Sequence, residues 1–133
     1  MKYLIKSYKG INDFIFGSSI ESIQEKYNVP FKIVQKKEIT KLYSDDLSFT
    51  FENDRLMEIS VIENDGVELC FDKYSLFQES KIIQKLQKSY PSIKKYGFYI
   101  FDSIGISCSG FEENEGQRTI TVYCPHYWDA VIK

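Results

Sequence analysis

Leu47-Ser48-Phe49-Thr50-Phe51-Glu52-Asn53-Asp54-Arg55-Leu56-Met57-Glu58-Ile59-Ser60-Val61 is the stretch that decides the fold. Side chains of an extended strand alternate between two faces. Leu47, Phe49 and Phe51 therefore share one face, and Ser48, Thr50 and Glu52 share the other. Asn53-Asp54 carries the turn chemistry that closes a hairpin. Beyond it the alternation resumes, with Met57, Ile59 and Val61 opposing Glu58 and Ser60. The pattern predicts an antiparallel hairpin with one apolar face.

Three further segments alternate in the same way. Val67, Leu69 and Phe71 oppose Glu68, Cys70 and Asp72; Ile104, Ile106 and Cys108 oppose Gly105, Ser107 and Ser109; Ile120, Val122 and Cys124 oppose Thr119, Thr121 and Tyr123. Phe98-Tyr99-Ile100-Phe101 is apolar throughout and reads as the most buried strand. Asp65-Gly66 and Glu115-Gly116 sit where further hairpins would close.

Two segments have helical signatures. Ser18-Ser19-Ile20-Glu21 has capping-box spacing, in which the serine side chain accepts from a first-turn N–H and the glutamate three residues on reaches back. Ile20, Ile23, Gln24 and Tyr27 follow on one face, with Asn28 at the C-terminal position and Pro30 as the stop. Ser75-Leu76-Phe77-Gln78 repeats the spacing. Ile83, Leu86 and Tyr90 form its stripe, supported by Leu76 and Ile82, and Pro91 ends it. The expected architecture is α+β: one antiparallel sheet with both helices packed on one face and a Ser/Thr-rich open face. Each half of the order gives a helix, an apolar strand and two alternating strands. The arrangement suggests a tandem duplication, residues 10–62 and 66–128, within a single domain spanning residues 1–133.

A chain of 133 residues is long enough for one domain and short for two. A hydrophobic fraction of 43% and a charged fraction of 27% are globular values. A net charge of -2 argues against non-specific nucleic-acid binding, which needs excess Lys and Arg, and favours a basic partner. Cys70, Cys108 and Cys124 are odd in number and lie in apolar alternation, so buried free thiols are expected. Met1-Lys2-Tyr3-Leu4-Ile5-Lys6 has no long apolar core or cleavage site of an export signal, and no apolar run is long enough to span a bilayer, so a cytoplasmic location is expected, without membrane contact.

Catalytic groupings are not evident. His126 is the single histidine, in Cys124-Pro125-His126-Tyr127-Trp128-Asp129. Cys and His two apart supply half a zinc site, and zinc wants four ligands. A Cys-His nucleophile pair needs hydrogen-bond reach and an orienting third group, which Pro125 disfavours over so short a span. The preferred reading is a chain end in which Tyr127 and Trp128 pack as a lid. Gly17-Ser18 and Ser109-Gly110 lack the Gly-x-Ser-x-Gly elbow, and Glu63-Asn64-Asp65-Gly66 lacks the ligand spacing of a calcium loop. No catalytic residue, metal ligand or cofactor is assigned, and an enzyme is not expected. Carboxylates gather at predicted loops: Asp45 and Asp46; Glu52 and Asp54; Glu63 and Asp65; Glu112, Glu113 and Glu115; the eight candidate contact carboxylates are Asp45, Asp46, Glu52, Asp54, Glu112, Glu113 and Glu115, with Glu58 on the strand nearby. They are either solvated hairpin tips or an electronegative rim that steers a basic partner.

Phe16-Gly17-Ser18-Ser19-Ile20-Glu21-Ser22-Ile23, followed by Val29-Pro30, resembles a recurring bacterial opening in which Gly and a small residue lead into a short helix ending before Pro. Lys41-Leu42-Tyr43, Leu47-Ser48-Phe49-Thr50-Phe51 and Arg55-Leu56-Met57-Glu58-Ile59 continue the resemblance. The layout is similar to small immunity proteins of polymorphic toxin systems, including contact-dependent growth inhibition. It is also similar to the repeat of β-lactamase-inhibitory and outer-membrane-assembly lipoprotein folds. The likeness covers the first half well and the second loosely. Tyr27-Asn28 stands where those repeats commonly have Leu-Gly, and no lipobox cysteine is present. The resemblance implies a binding protein with no catalytic residue. The expected function is a cytosolic immunity protein that binds and neutralises a toxin domain, such as a nuclease, through the eight carboxylates named above. The alternative is a housekeeping adaptor or regulatory protein-binding module.

Overall fold

The computed structural model describes residues 2–112 and 117–133, and strand outweighs helix, 43% against 13%. The elements in order are β1 (Lys2–Lys6), β2 (Gly10–Ile11), β3 (Phe14–Ile15), α1 (Ile20–Lys26), β4 (Lys32–Lys36), β5 (Ile39–Tyr43), β6 (Leu47–Glu52) and β7 (Arg55–Ile62). There follow β8 (Glu68–Phe71), β9 (Tyr74–Ser75), α2 (Ile82–Gln87), β10 (Ile93–Lys95), β11 (Phe98–Phe101), β12 (Ile106–Ser109), β13 (Thr119–Tyr123) and α3 (Asp129–Ile132).

These elements form two sheets. The larger has eight strands in the order β10-β11-β12-β13-β7-β6-β5-β4, all antiparallel. Its middle is a seam between β7 and β13, where Ser60 faces Thr121 and their hydroxyls lie 2.7 Å apart. On either side of the seam a four-stranded meander runs outward, to β4 on one flank and β10 on the other. The smaller sheet has the order β3-β2-β1-β8-β9. Here β1 and β8 are parallel, with Tyr3 beside Leu69. A single antiparallel sheet is therefore corrected to two. The alternation in Val67–Phe71 marks a strand, but Asp65-Gly66 does not close a hairpin onto β7. Instead Asn64 accepts from the Gly66 N–H at 2.9 Å, and the chain crosses to β1.

The buried face of the large sheet follows the alternation. Leu42, Phe49, Ile59, Val122, Ile106 and Phe101 are cross-strand neighbours in one row, and all are buried. One apolar cluster joins this row to Tyr3, Ile11 and Leu69 of the small sheet and to Ile23 and Leu86 of the helices. Three local expectations shift. A register break between Thr50 and Phe51 pairs Phe51 with Leu56, so Leu56 enters the core and Met57 is only half-buried. This is the two-against-one count of a β-bulge. The N-cap of α1 is Ser19, whose hydroxyl accepts from the Ser22 N–H at 3.1 Å; the Ser18 carbonyl instead accepts from the Leu56 N–H. Strand β11 is half-buried at Phe98 and Tyr99, because it lies next to the edge, whereas four of the five residues of β13 are buried.

Helix α2 starts later than its capping spacing predicts. The Ser75 hydroxyl donates to Gln78 at 2.7 Å and the Glu79 N–H donates to the Ser75 carbonyl, so the motif closes a turn; Lys81, left-handed at φ 54, then leads into the helix. Of its stripe, Ile82, Ile83 and Leu86 are buried as expected, while Tyr90 lies beyond the helix and is half-buried. Leu86→Ala is expected to cost about 2–5 kcal/mol in chemical denaturation. A change below about 0.5 kcal/mol, the usual surface range, would contradict that burial.

Arg118 fastens the β7–β8 connection to the far half. Its guanidinium donates to both carboxylate oxygens of Glu63 and to the Phe77 carbonyl, and lies 5.0 Å from the Phe111 ring centre. The hydrogen bond from Arg118 holds the Glu63 carboxyl below its ordinary range. The pair's contribution is thus complete above the unfolded carboxylate range and is lost as pH falls through the lower, folded value. Arg118→Gln is expected to flatten the acid limb of stability against pH, measured by urea unfolding between about pH 7 and about pH 3. An unchanged limb would show that the pair contributes nothing.

Candidate functional site

The carboxylates expected to form one rim are distributed. Asp45 and Asp46 lie in the β5–β6 turn, while Glu52 and Asp54 lie at the opposite end of β6. Glu112 follows β12 on the distant flank, and Glu113 and Glu115 lie outside the described residues. Most also have internal partners. Asp46 accepts from the Asn64 side-chain amide. Asp54 accepts from the Ile20 N–H at 2.9 Å, supplying an acceptor to the first turn of α1. Glu58 accepts from the Trp128 indole N–H at 2.8 Å and from the Thr50 hydroxyl at 3.2 Å. Glu112 accepts from Lys94 and from the Tyr99 hydroxyl. The side-chain carboxylates of Asp45 and Glu52 make no hydrogen bond among the described residues. Glu58 stands opposite Thr50, two residues from Glu52, and burial first, then the charges of Glu58 and Glu52, push the Tyr127 hydroxyl up to about 12.

The polar face of the large sheet is not open. Ser48, Ser60, Thr121 and Ser107 form one cross-strand row, but Thr121 and Ser107 are buried, as is Thr50. The C-terminal segment lies across part of this face. The Trp128 ring stacks on Tyr123 at 5.0 Å and 10°, and meets Phe98 edge-on at 5.3 Å. The Lys95 ammonium donates to the Ile132 and Lys133 carbonyls at 3.1 and 3.0 Å. Trp128 thus packs as a lid on the sheet. His126 is exposed and its ring nitrogen lies 3.0 Å from Asp129. Cys124 is half-buried, and burial leads the effects that push its thiol up, opposite to what an activated nucleophile needs. Cys70 and Cys108 are also free; of the three thiols expected to be buried only Cys108 is, Cys70 being half-buried like Cys124, and burial pushes Cys108 up to about 12. Among the described residues no group of three potential ligands clusters around a metal position, and no helix is long and apolar enough to cross a membrane.

The outer hairpin, β4–β5, differs from the rest of the sheet. All five residues of β4 are exposed. Ile33 is 57% exposed on one face, and on the other Val34 is 44% and Tyr43 38% exposed. Val34, Ile39, Lys41 and Tyr43 line a shallow, mainly apolar cleft of about 430 Å³. Lys36, Lys37 and Lys41 also line it, Lys32 neighbours Tyr43 across the ladder, and the four ammonium groups make no hydrogen bond or ion pair among the described residues. Sequence reasoning singled out Lys41-Leu42-Tyr43 through the resemblance and missed β4. Lys32-Ile33-Val34-Gln35-Lys36 places two apolar residues side by side between lysines, a composition that fits an edge strand guarded by charge. Comparison with family models, with curated proteins and with solved structures finds no match to the chain.

Proposed function

We propose that this chain is a non-enzymatic, cytosolic binding protein whose β4–β5 edge docks a protein partner, and that it serves as an immunity protein against a cognate toxin domain. The observation that carries this reading is the pair of exposed apolar faces at Ile33 and at Val34 and Tyr43, on an edge strand left uncovered. Elsewhere in this sheet most large side chains enter one core, and among the described residues Ile93 of β10, at 42%, is exposed to a comparable degree. An apolar edge rimmed by charge has the composition of an interaction surface. The carboxylate rim is a weaker candidate, because Asp46, Asp54, Glu58 and Glu112 already serve groups of the same chain. The reading takes α1 and α2 to lie together on the core side of the large sheet, leaving its edge free. It also takes the chain as two copies of one unit, residues 10–62 and 66–128, supported by the matching strand order on either side of the β7–β13 seam.

Immunity requires very little free toxin, so the purified pair is expected to bind with Kd in the nanomolar range or below, about -12 kcal/mol or stronger. Expression of the chain should restore growth to cells poisoned by the toxin domain encoded beside it. If the locus encodes no toxin and deletion leaves cells equally resistant to competitors, the adaptor reading replaces this one.

A further inference from the structure

We propose that β4 accepts an extended, acidic segment of a partner protein as an added strand of the large sheet; the inference rests on the binding reading above and specifies its contact. Every second residue of an antiparallel edge strand turns its N–H and C=O away from its neighbour. Strand β4 ends the sheet at this flank, so these groups face solvent and offer a template for another chain. Alternate side chains of an added strand would meet Ile33 on one face and the Val34–Tyr43 cleft on the other.

Charge selects the occupant. The two ends of the large sheet hold corresponding places in the strand order, yet their lysines differ. On β10, Lys94 pairs with Glu112, and Lys95 is held by the carbonyls of Ile132 and Lys133. On the β4–β5 hairpin, Lys32, Lys36, Lys37 and Lys41 are uncommitted among the described residues. Glu38, between Lys37 and Ile39, is the one carboxylate in the lining of the cleft. A second copy of this chain, paired antiparallel about Val34, would set Lys32 against Lys36, and like charges directly opposite destabilise a strand pair. A single-stranded nucleic acid would use the lysines but leave the outward backbone groups without strand partners. An acidic polypeptide satisfies the backbone, the apolar strips and the lysines together.

The test is an NMR titration of the isotopically labelled full chain with a synthetic peptide alternating Val and Glu. The same peptide with Lys for Glu, and a single-stranded DNA oligonucleotide, serve as competing probes. Expected are slowed amide exchange and shifts centred on residues 32–36 with the acidic peptide alone. Lys36→Glu with Lys41→Glu should weaken binding by about tenfold or more while leaving the remaining spectrum unchanged. Equal binding of the Lys peptide, shifts centred elsewhere, oligonucleotide binding at β4, or a dimer that protects β4 without peptide would each overturn the proposal. With the cognate toxin domain as ligand, tight binding that leaves residues 32–36 unprotected overturns strand addition while the immunity reading stands. Protection of β4 by the acidic peptide in a chain with no toxin partner supports strand addition and removes the immunity reading.

Discussion

Phe49→Ala is expected to destabilise the protein by about 3–5 kcal/mol, the range for truncating a fully buried aromatic side chain. Phe49 is fully buried at the centre of a ring cluster. Its centroid lies 5.2 Å from Phe14, 6.2 Å from Tyr27 and 6.2 Å from Phe31, all edge-on. Leu42 and Ile59 flank it across the sheet. Truncation removes the transfer energy of the ring and leaves a cavity. The surrounding rings belong to β3, to the end of α1 and to the segment before β4, and they cannot all collapse into it without shifting those elements. Domains are typically stable by about 5–15 kcal/mol, so the variant should approach the limit of folding. Denaturant unfolding gives the value, and a loss below about 1 kcal/mol would mean that the ring is not the centre of this packing.

Gly10→Ala is expected to cost about 2–6 kcal/mol, combining backbone strain with overpacking, each typically about 1–3 kcal/mol. Gly10 pairs with Lys6 on one side and Ile15 on the other, at φ +145. A methyl there would stand 1.9 Å from the Phe14 carbonyl oxygen, a backbone atom that moves only with the strand. Gly17 is the control. It is also left-handed, at φ +93, but a methyl meets nothing within 4 Å, so Gly17→Ala should cost only the conformational penalty, about 1 kcal/mol. Thermal unfolding of the two variants side by side checks the contrast. Equal losses would show that backbone conformation, and not the collision, sets the cost.

The hairpin of β6 and β7 was legible because alternation and turn chemistry agree there. Asn53 and Asp54 both adopt positive φ, at 50 and 61. The bulge inside it was not legible, since Leu56 and Met57 are adjacent apolar residues and hydropathy cannot say which one enters the core. The alternation of β8 identified a strand but not its neighbour. Partner choice is settled by packing across the chain, which placed Leu69 beside Tyr3. Ser75 bonds locally, but its hydroxyl donates to Gln78 and its N–H donates to Glu79, which are not the capping-box bonds and which close a turn. Carboxylates were legible as charge and illegible as partners. Asp54 reaches back to Ile20, and Glu58 reaches forward to Trp128, across separations that no local pattern encodes. The β4 surface was hidden for a related reason: the lysines of Lys32–Lys36 suit an edge, but the adjacent Ile33 and Val34 break the alternation that marks a strand.

The seam between β7 and β13 has a kinetic meaning. The turns within each meander bring near neighbours together, and hairpins of this kind form in about 1–10 μs. Ser60 and Thr121 belong to opposite halves, and Tyr3 and Leu69 are as far apart in the chain. Joining them closes a long loop at an entropic cost of about 3–4 kcal/mol before any contact across the join compensates. Chains dominated by such non-local pairing fold in about milliseconds to seconds. Refolding should therefore reach two partly formed meanders early and wait on their union. Pulse-labelled amide exchange is expected to protect the β6–β7 hairpin before the β7–β13 ladder, and simultaneous protection of both would place the rate-limiting step elsewhere.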